Sequence, residues 1–251
     1  MPAVRGPLYL VAGGARADHR RGPDPLLKSA FSRMGIPRPC VAYVGVASGD
    51  NAVLRRRSSE LLRRAGAGRV ALAPLCGRLG SAAKAAAVID SADVIFFCGG
   101  DVEAGIRTLE QRGMIPVLRS AHESGVPFLG VSAGSIMLCR GWIRWANPGD
   151  ERSAELFSCL SLARVWCDTH GEGEGWGELK AMLALRPVGS TGYGIASGSA
   201  MVVEPEGTLS AFGGEIHVFK RRKAGVVQVK SLRPGPEEEG KWSTGDWEAR
   251  V

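Results

Sequence analysis

No apolar run in the 251-residue chain approaches the ~20 residues that a membrane-spanning helix needs. The first residues, Met1-Pro2-Ala3-Val4-Arg5-Gly6-Pro7, lead directly into a strand-like segment and lack the long apolar region of a signal peptide. The six cysteines (Cys40, Cys76, Cys98, Cys139, Cys159 and Cys167) include no C-x-x-C pair, and most sit inside apolar runs. That pattern argues against zinc and against a disulfide framework, and for buried free thiols in a reducing compartment. A cytoplasmic protein without membrane association is the expectation. Aromatic residues make up only 6% of the chain, and no nucleic-acid-binding module is recognisable. The net charge is +7, but the basic residues are scattered apart from Arg55-Arg56-Arg57 and Lys220-Arg221-Arg222-Lys223. Nucleic acid is therefore not expected as a partner.

An ordinary buried core is present instead. The chain is 45% hydrophobic with 35 glycines, several of them at the ends of apolar runs, where tight strand-to-helix turns need them. Continuous apolar strands are expected at Pro7–Gly14, Cys40–Ala47, Arg69–Leu72, Asp93–Cys98 and the segment before Ser132. Helical spacing occurs at Pro25–Met34, Asn51–Ala65, Ala82–Ser91, Val102–Arg112 and Ile115–Ser124. Apolar strands alternating with helices predict an α/β fold: a largely parallel central sheet with helices on both faces.

After residue 141 the pattern changes. Trp142–Glu155 is polar and reads as a loop over the site. A strand is expected at Ala163–Asp168 and a short helix at Glu178–Leu185. Short strands follow between Gly194 and Val229 and predict a late extension of antiparallel hairpins. Residues 1–233 are expected to form one domain, with 234–251 a charged tail.

Ligands in parallel sheets bind at the carboxyl ends of the strands. Three glycine-marked ends fall there: Gly13-Gly14, Gly99-Gly100-Asp101 and Gly130-Val131-Ser132-Ala133-Gly134. The last has the form G-x-S-x-G, the nucleophile elbow. The residue types follow from the chemistry. A serine standing out at a strand end has a strained backbone and needs small neighbours, and the following helix N-terminus favours developing negative charge.

A serine hydroxyl needs a base. Of four histidines, His19 lies in an arginine-rich loop, His122 in a helix and His217 in a late strand, all readable as surface or structural. His170 ends a strand, downstream of Ser132, in a glycine-rich loop.

The segments Phe97-Cys98-Gly99-Gly100-Asp101, Gly130-Val131-Ser132-Ala133-Gly134-Ser135 and Cys167-Asp168-Thr169-His170, in this order, resemble the serine peptidase family of aspartyl dipeptidase and cyanophycinase. The resemblance implies the class I glutamine amidotransferase-like fold and hydrolysis of a peptide or amide bond through an acyl-enzyme. It implies Ser132 as nucleophile, His170 as general base and then acid, and an oxyanion hole from the N–H of Ala133 and one near Gly100. It implies no metal or organic cofactor, a small peptide-like substrate, and a fold that often forms homodimers.

Two departures leave alternatives open. The stretch Ile195-Ala196-Ser197-Gly198-Ser199, where cyanophycinase-like members carry an acid, has no carboxylate. Dipeptidase-like members carry an aspartate in the loop after the elbow helix, which makes Asp150 the expected orienter of His170, with a Ser132–His170 dyad and a neutral or water-mediated orienter as the alternative. Asp168, close to His170 in sequence, is not the expected orienter. The loop after the histidine holds Glu172 and Glu174 where relatives place arginines, so Asp101, Glu172 and Glu174 are expected to contact substrate and to favour a positive group. Trp176 reads either as a lid contact or as packing. A catalytically impaired relative that binds a small ligand or a protein is the alternative function.

Overall fold

Five short runs pair in parallel in one sheet, four of them apolar and largely buried on both faces and the fifth, Arg69–Leu72, a half-exposed edge strand. They are β1 (Leu8–Val11), β2 (Cys40–Val44), β3 (Arg69–Leu72), β4 (Val94–Phe97) and β5 (Phe128–Val131). The computed structural model describes residues 5–13, 22–78, 80–147 and 150–235. The expectations for Gly14, His19 and the tail beyond residue 235 lie outside them.

The connecting helices are α1 (Pro25–Met34), α2 (Ala52–Ala65), α3 (Ala82–Asp90), α4 (Val102–Gln111), α5 (Ile115–Glu123) and α6 (Ala133–Leu138). Their starts are marked by polar side chains that accept otherwise unpaired N–H groups. Asp24 accepts from Leu27 N at 3.0 Å, Asn51 from Val53 and Leu54 N, and Ser81 from Lys84 N. Gly35, at φ 67°, closes α1 in the left-handed conformation that glycine adopts without strain.

The later strands are β6 (Gly141–Trp145), β7 (Ala154–Ser158), β8 (Trp166–Thr169), β9 (Thr191–Ile195), β10 (Ala200–Val203), β11 (Leu209–Phe212), β12 (Ile216–Arg222) and β13 (Gly225–Gln228), with α7 (Gly177–Ala184) after β8. The main sheet has seven strands in the order β11-β10-β1-β5-β4-β2-β3. β10 runs antiparallel to β1 and to β11, so a late antiparallel hairpin extends a parallel sheet flanked by helices. The strand order reverses between β2 and β4, which opens a crevice at their carboxyl ends.

Three details of these elements differ from the sequence reading. Trp142–Glu155 is not simply a loop: β6 and β7 form a hairpin, with Trp142 opposite Phe157 and Ile143 opposite Leu156. The polar residues concealed an inward Ile143, which is only 1% exposed. The remaining late strands form a separate sheet, β13-β12-β9-β8, with its own core of Ile143, Trp176, Leu179, Met182, Leu183 and Phe219. Gly192 and Gly194 on β9 make room for it. A Cβ on Gly194 would stand 2.7 Å from the Trp176 ring, and one on Gly192 2.9 Å from Leu179. The expected strand at Ala163 begins only at Trp166, because Ala163 N donates to Leu138 O on α6.

Candidate active site

Ser132 joins β5 to α6 with φ 54° and ψ −122°, a conformation that side-chain-bearing residues rarely adopt. Such a backbone costs about 1–3 kcal/mol and persists only where the surroundings impose it. Here they do. Val11 O, at the end of β1, accepts Ser132 N at 2.8 Å and the buried Ser135 hydroxyl at 2.9 Å. Gly130 and Gly134 let strand and helix close on each other: a Cβ on Gly130 would lie 2.7 Å from the Gly134 carbonyl.

The β4–α4 turn reaches the same point. A Cβ on Gly99 would lie 3.3 Å from Ser132 Cβ and 3.8 Å from its Oγ. Gly100, at φ 145°, packs so closely on the turn after β2 that a Cβ would meet Ala47 O at 2.1 Å. Asp101 N donates to the same oxygen at 2.8 Å. β2 stops at Val44, short of the expected Ala47, because Val46–Ser48 form a 3-10 turn whose Ser48 hydroxyl bonds Gly45 O. Asp50, at φ 57°, braces this turn by accepting from Leu75 N and Cys76 N, a role that sequence reasoning missed.

His170 arrives from the second sheet. β8 and β9 are parallel, with Thr169 opposite Ile195, so the residues just beyond each strand meet. His170 N donates to Ile195 O, and His170 Nδ1 lies 3.0 Å from Ser197 Oγ. Gly198 N donates to Gly13 O at 3.0 Å, and Ser199 O accepts from Ala12 N. The Ser197 turn and Ser132 are thus both tied to the carboxyl end of β1. From below, α6 packs on β8, with Cys139 Sγ 3.1 Å from Cys167 Sγ.

The loop after His170 is anchored rather than loose. Trp176, 5% exposed, lies against Gly171, Gly194, His217 and Phe219, and its N–H donates to Gly171 O. It is a packing residue. Its anchorage holds Glu172, whose Oε1 accepts Ser197 N at 3.0 Å. Burial works to raise the Glu172 carboxyl. Hydrogen bonds from the Ser197 hydroxyl and from backbone N–H groups, with the nearby His170 ring, outweigh it and hold the group below the usual glutamate range.

A model of peptidase family S51 matches residues 10–210. The chain belongs to peptidase family S51. Its fold is similar to that of a peptidase from an acI-B1 Actinobacterium, with a TM-score of 0.62 and 18% identity over 93% of this chain and 98% of that one. It is also similar to a peptidase E-like protein from Listeria monocytogenes EGD-e, with a TM-score of 0.60 and 15% identity over 82% and 98% of the two chains. Comparison with curated proteins gives no match. S51 membership supports a hydrolytic, peptidase function.

The remaining predicted residues of this S51 chain are placed as follows. Asp150 is exposed and turned into its own loop, accepting from Arg152 N at 2.9 Å; the group at His170 Nδ1 is Ser197. Asp101 caps α4 by accepting from Ala104 N at 2.8 Å. Ala133, 4% exposed, is the first residue of α6. Glu174 is exposed at the end of the Glu172 turn. Asp168 is buried and accepts from Thr169 N and from Leu179 N in the first turn of α7, not from His170. Burial first, then Glu178 and Glu174, push it up to about 7. His122 is buried, bonded to Gly6 O and lowered mainly by burial; His217 pairs with Gln228. Among the described residues, no group of three or more His, Cys, Asp or Glu side chains could hold a metal ion, and no helix is long and apolar enough to cross a membrane. The sequence allowed a neutral orienter but carried no signal for which residue it is; Ser197 takes that place at His170 Nδ1.

Proposed function

We propose that the protein is a serine-type peptidase or amidase that hydrolyses a small peptide-like substrate through an acyl-enzyme on Ser132. The observation that carries this reading is the Ser132 backbone. A serine held at φ 54° and ψ −122° on a strand-to-helix turn, between residues that admit no Cβ, has the form of a nucleophile elbow.

His170 acts as the base. Its Nε2 takes the Ser132 Oγ proton as Oγ attacks the substrate carbonyl carbon. The oxyanion of the tetrahedral intermediate meets the N–H of Ala133 at the start of α6 and one at Gly100. As the carbon–nitrogen bond breaks, the proton passes from Nε2 to the leaving amine. Water then repeats the sequence on the acyl-enzyme, and the carboxylic acid leaves with Ser132 restored. No metal or organic cofactor takes part. Glu174 and Asp101 supply negative charge for a positive group of the substrate.

A specific observation favours a second reading. The partner of His170 Nδ1 is a hydroxyl rather than a carboxylate, and weaker orientation of the base fits a catalytically impaired protein that binds a small ligand at this crevice. Labelling with a fluorophosphonate separates the two. The peptidase reading expects one adduct on the wild type and none on Ser132→Ala. It fails if the folded wild type forms no adduct, or if Ser132→Ala hydrolyses peptides at the wild-type rate.

A further inference from the structure

We propose that Ser197 and Glu172 together replace the missing carboxylate: Ser197 holds His170, and Glu172 holds Ser197. Both are positioning residues, and the inference rests on the peptidase reading of Ser132 and His170.

The argument starts from what a hydroxyl can and cannot do. A general base working at Nε2 must carry its proton on Nδ1. A carboxylate beside Nδ1 enforces that tautomer because it only accepts. A serine hydroxyl both donates and accepts, so by itself it tolerates either tautomer. If Ser197 donated to Nδ1, the ring proton would sit on Nε2 and the base would be blocked. Ser197 needs something that claims its own proton.

Glu172 is placed to do so. Its Oε1 accepts Ser197 N at 3.0 Å, which sets the carboxylate against the same residue whose Oγ is 3.0 Å from His170 Nδ1. The Ser197 side chain is among the groups that draw this carboxyl below the usual glutamate range, so the two interact. With the Ser197 hydroxyl donating to Glu172, its lone pairs face Nδ1, and only an Nδ1–H can complete the contact. The series then reads Nδ1–H to Ser197 Oγ and Oγ–H to the Glu172 carboxylate, leaving Nε2 free for the Ser132 proton. No proton moves along the series during the reaction; the charge on Glu172 only biases which way the hydroxyl points and stabilises the imidazolium that forms.

The surrounding structure keeps Glu172 there. Gly171 has no Cβ because Trp176 would meet it at 2.7 Å, and Trp176 N donates back to Gly171 O. The turn bearing Glu172 is closed on a buried tryptophan, directly after His170. The two carriers of the relay are therefore fixed independently: Glu172 by the second core, and Ser197 by the Gly198–Gly13 bond to β1.

The test uses the full chain, with a fluorophosphonate as probe, measuring the inactivation rate at saturation separately from the concentration giving half that rate. Ser197→Ala slows the saturating rate about 10- to 100-fold and Glu172→Gln about 3- to 10-fold, with the half-saturating concentration little changed, whereas Ser197→Thr keeps the rate within about threefold. Imidazole nitrogen NMR in alkaline buffer, with the ring neutral, gives a readout that a structural defect would not move. The wild type shows protonated Nδ1, and Glu172→Gln shows a mixture of tautomers. Wild-type labelling rates in both Ser197→Ala and Glu172→Gln, with Nδ1 still protonated, overturn the relay and leave the peptidase reading standing. Absence of any Ser132-dependent adduct in the wild type overturns the peptidase reading, while the tautomer comparison still decides the relay.

Discussion

Gly134 lies against the end of β4 so closely that a Cβ on it would stand 2.3 Å from the Phe97 carbonyl oxygen. The contact seats the turn bearing Ser132 on the neighbouring strand, and the second glycine of G-x-S-x-G is what permits it.

Gly134→Ala is therefore expected to destabilise the fold by at least about 1–3 kcal/mol, since backbone on both sides has no room to give. It also displaces the Ser132 turn. Thermal melting and fluorophosphonate labelling, measured together, report both effects. An unchanged melting temperature with wild-type labelling would show that the close contact is not needed.

Much of the fold was legible because its strands carry one dominant signal. Tyr43, Phe97 and Phe128 are buried within continuous apolar runs, and caps such as Asp24, Asn51 and Gly35 mark the helix ends. Ser132 and His170 stood out as candidates because strand ends punctuated by glycine and a G-x-S-x-G pattern are local features. What was not legible depends on pairing across the chain. The β6–β7 hairpin hides behind Arg144 and Glu155, while its buried Ile143, with Leu156 opposite it, reaches a core that Trp176, α7 and Phe219 complete. Ser197, 27 residues from His170 in sequence, meets it only because β8 and β9 lie side by side. Trp176 read equally well as a lid or as packing until Gly194 was seen to leave space for its ring.

Charge at the mouth of the site leads to a prediction about substrate. Glu172 and Glu174 are both exposed on the turn that follows His170, and Glu103 at the start of α4 is already paired with Arg107 and Arg144. Under the proposed function, a dipeptide carrying lysine is cleaved about two- to fivefold faster than its aspartate counterpart, the scale of exposed charge interactions. Glu174→Gln narrows the difference and added salt narrows it further. Comparative kcat/KM values on the two dipeptides check this. Equal rates, or a preference for aspartate, would remove the role assigned to Glu174.

Asp168 makes stability depend on pH in an unusual direction. Burial first, then the charges of Glu178 and Glu174, push its carboxyl from 3.8 up to about 7, against the lowering bonds from Thr169 N and Leu179 N. The folded protein therefore holds a proton between these values that the unfolded chain has lost. Where the native state binds more protons, stability falls as pH rises. The neutral carboxyl contributes fully below about 3.8, and that contribution is lost as pH rises through about 7. At about 1.4 kcal/mol per unit, the interval corresponds to about 4 kcal/mol. Asp168→Asn keeps a carbonyl acceptor for the two N–H groups but cannot ionise. Denaturant unfolding from pH 4 to pH 8 is expected to show the variant gaining on the wild type as pH rises to about 7 and the gain levelling off above it. A constant offset from its added amide group leaves this trend intact, so only the slope matters. Parallel curves across the range would mean that Asp168 ionises in the folded protein at little cost, with its two backbone bonds outweighing both burial and the neighbouring glutamates.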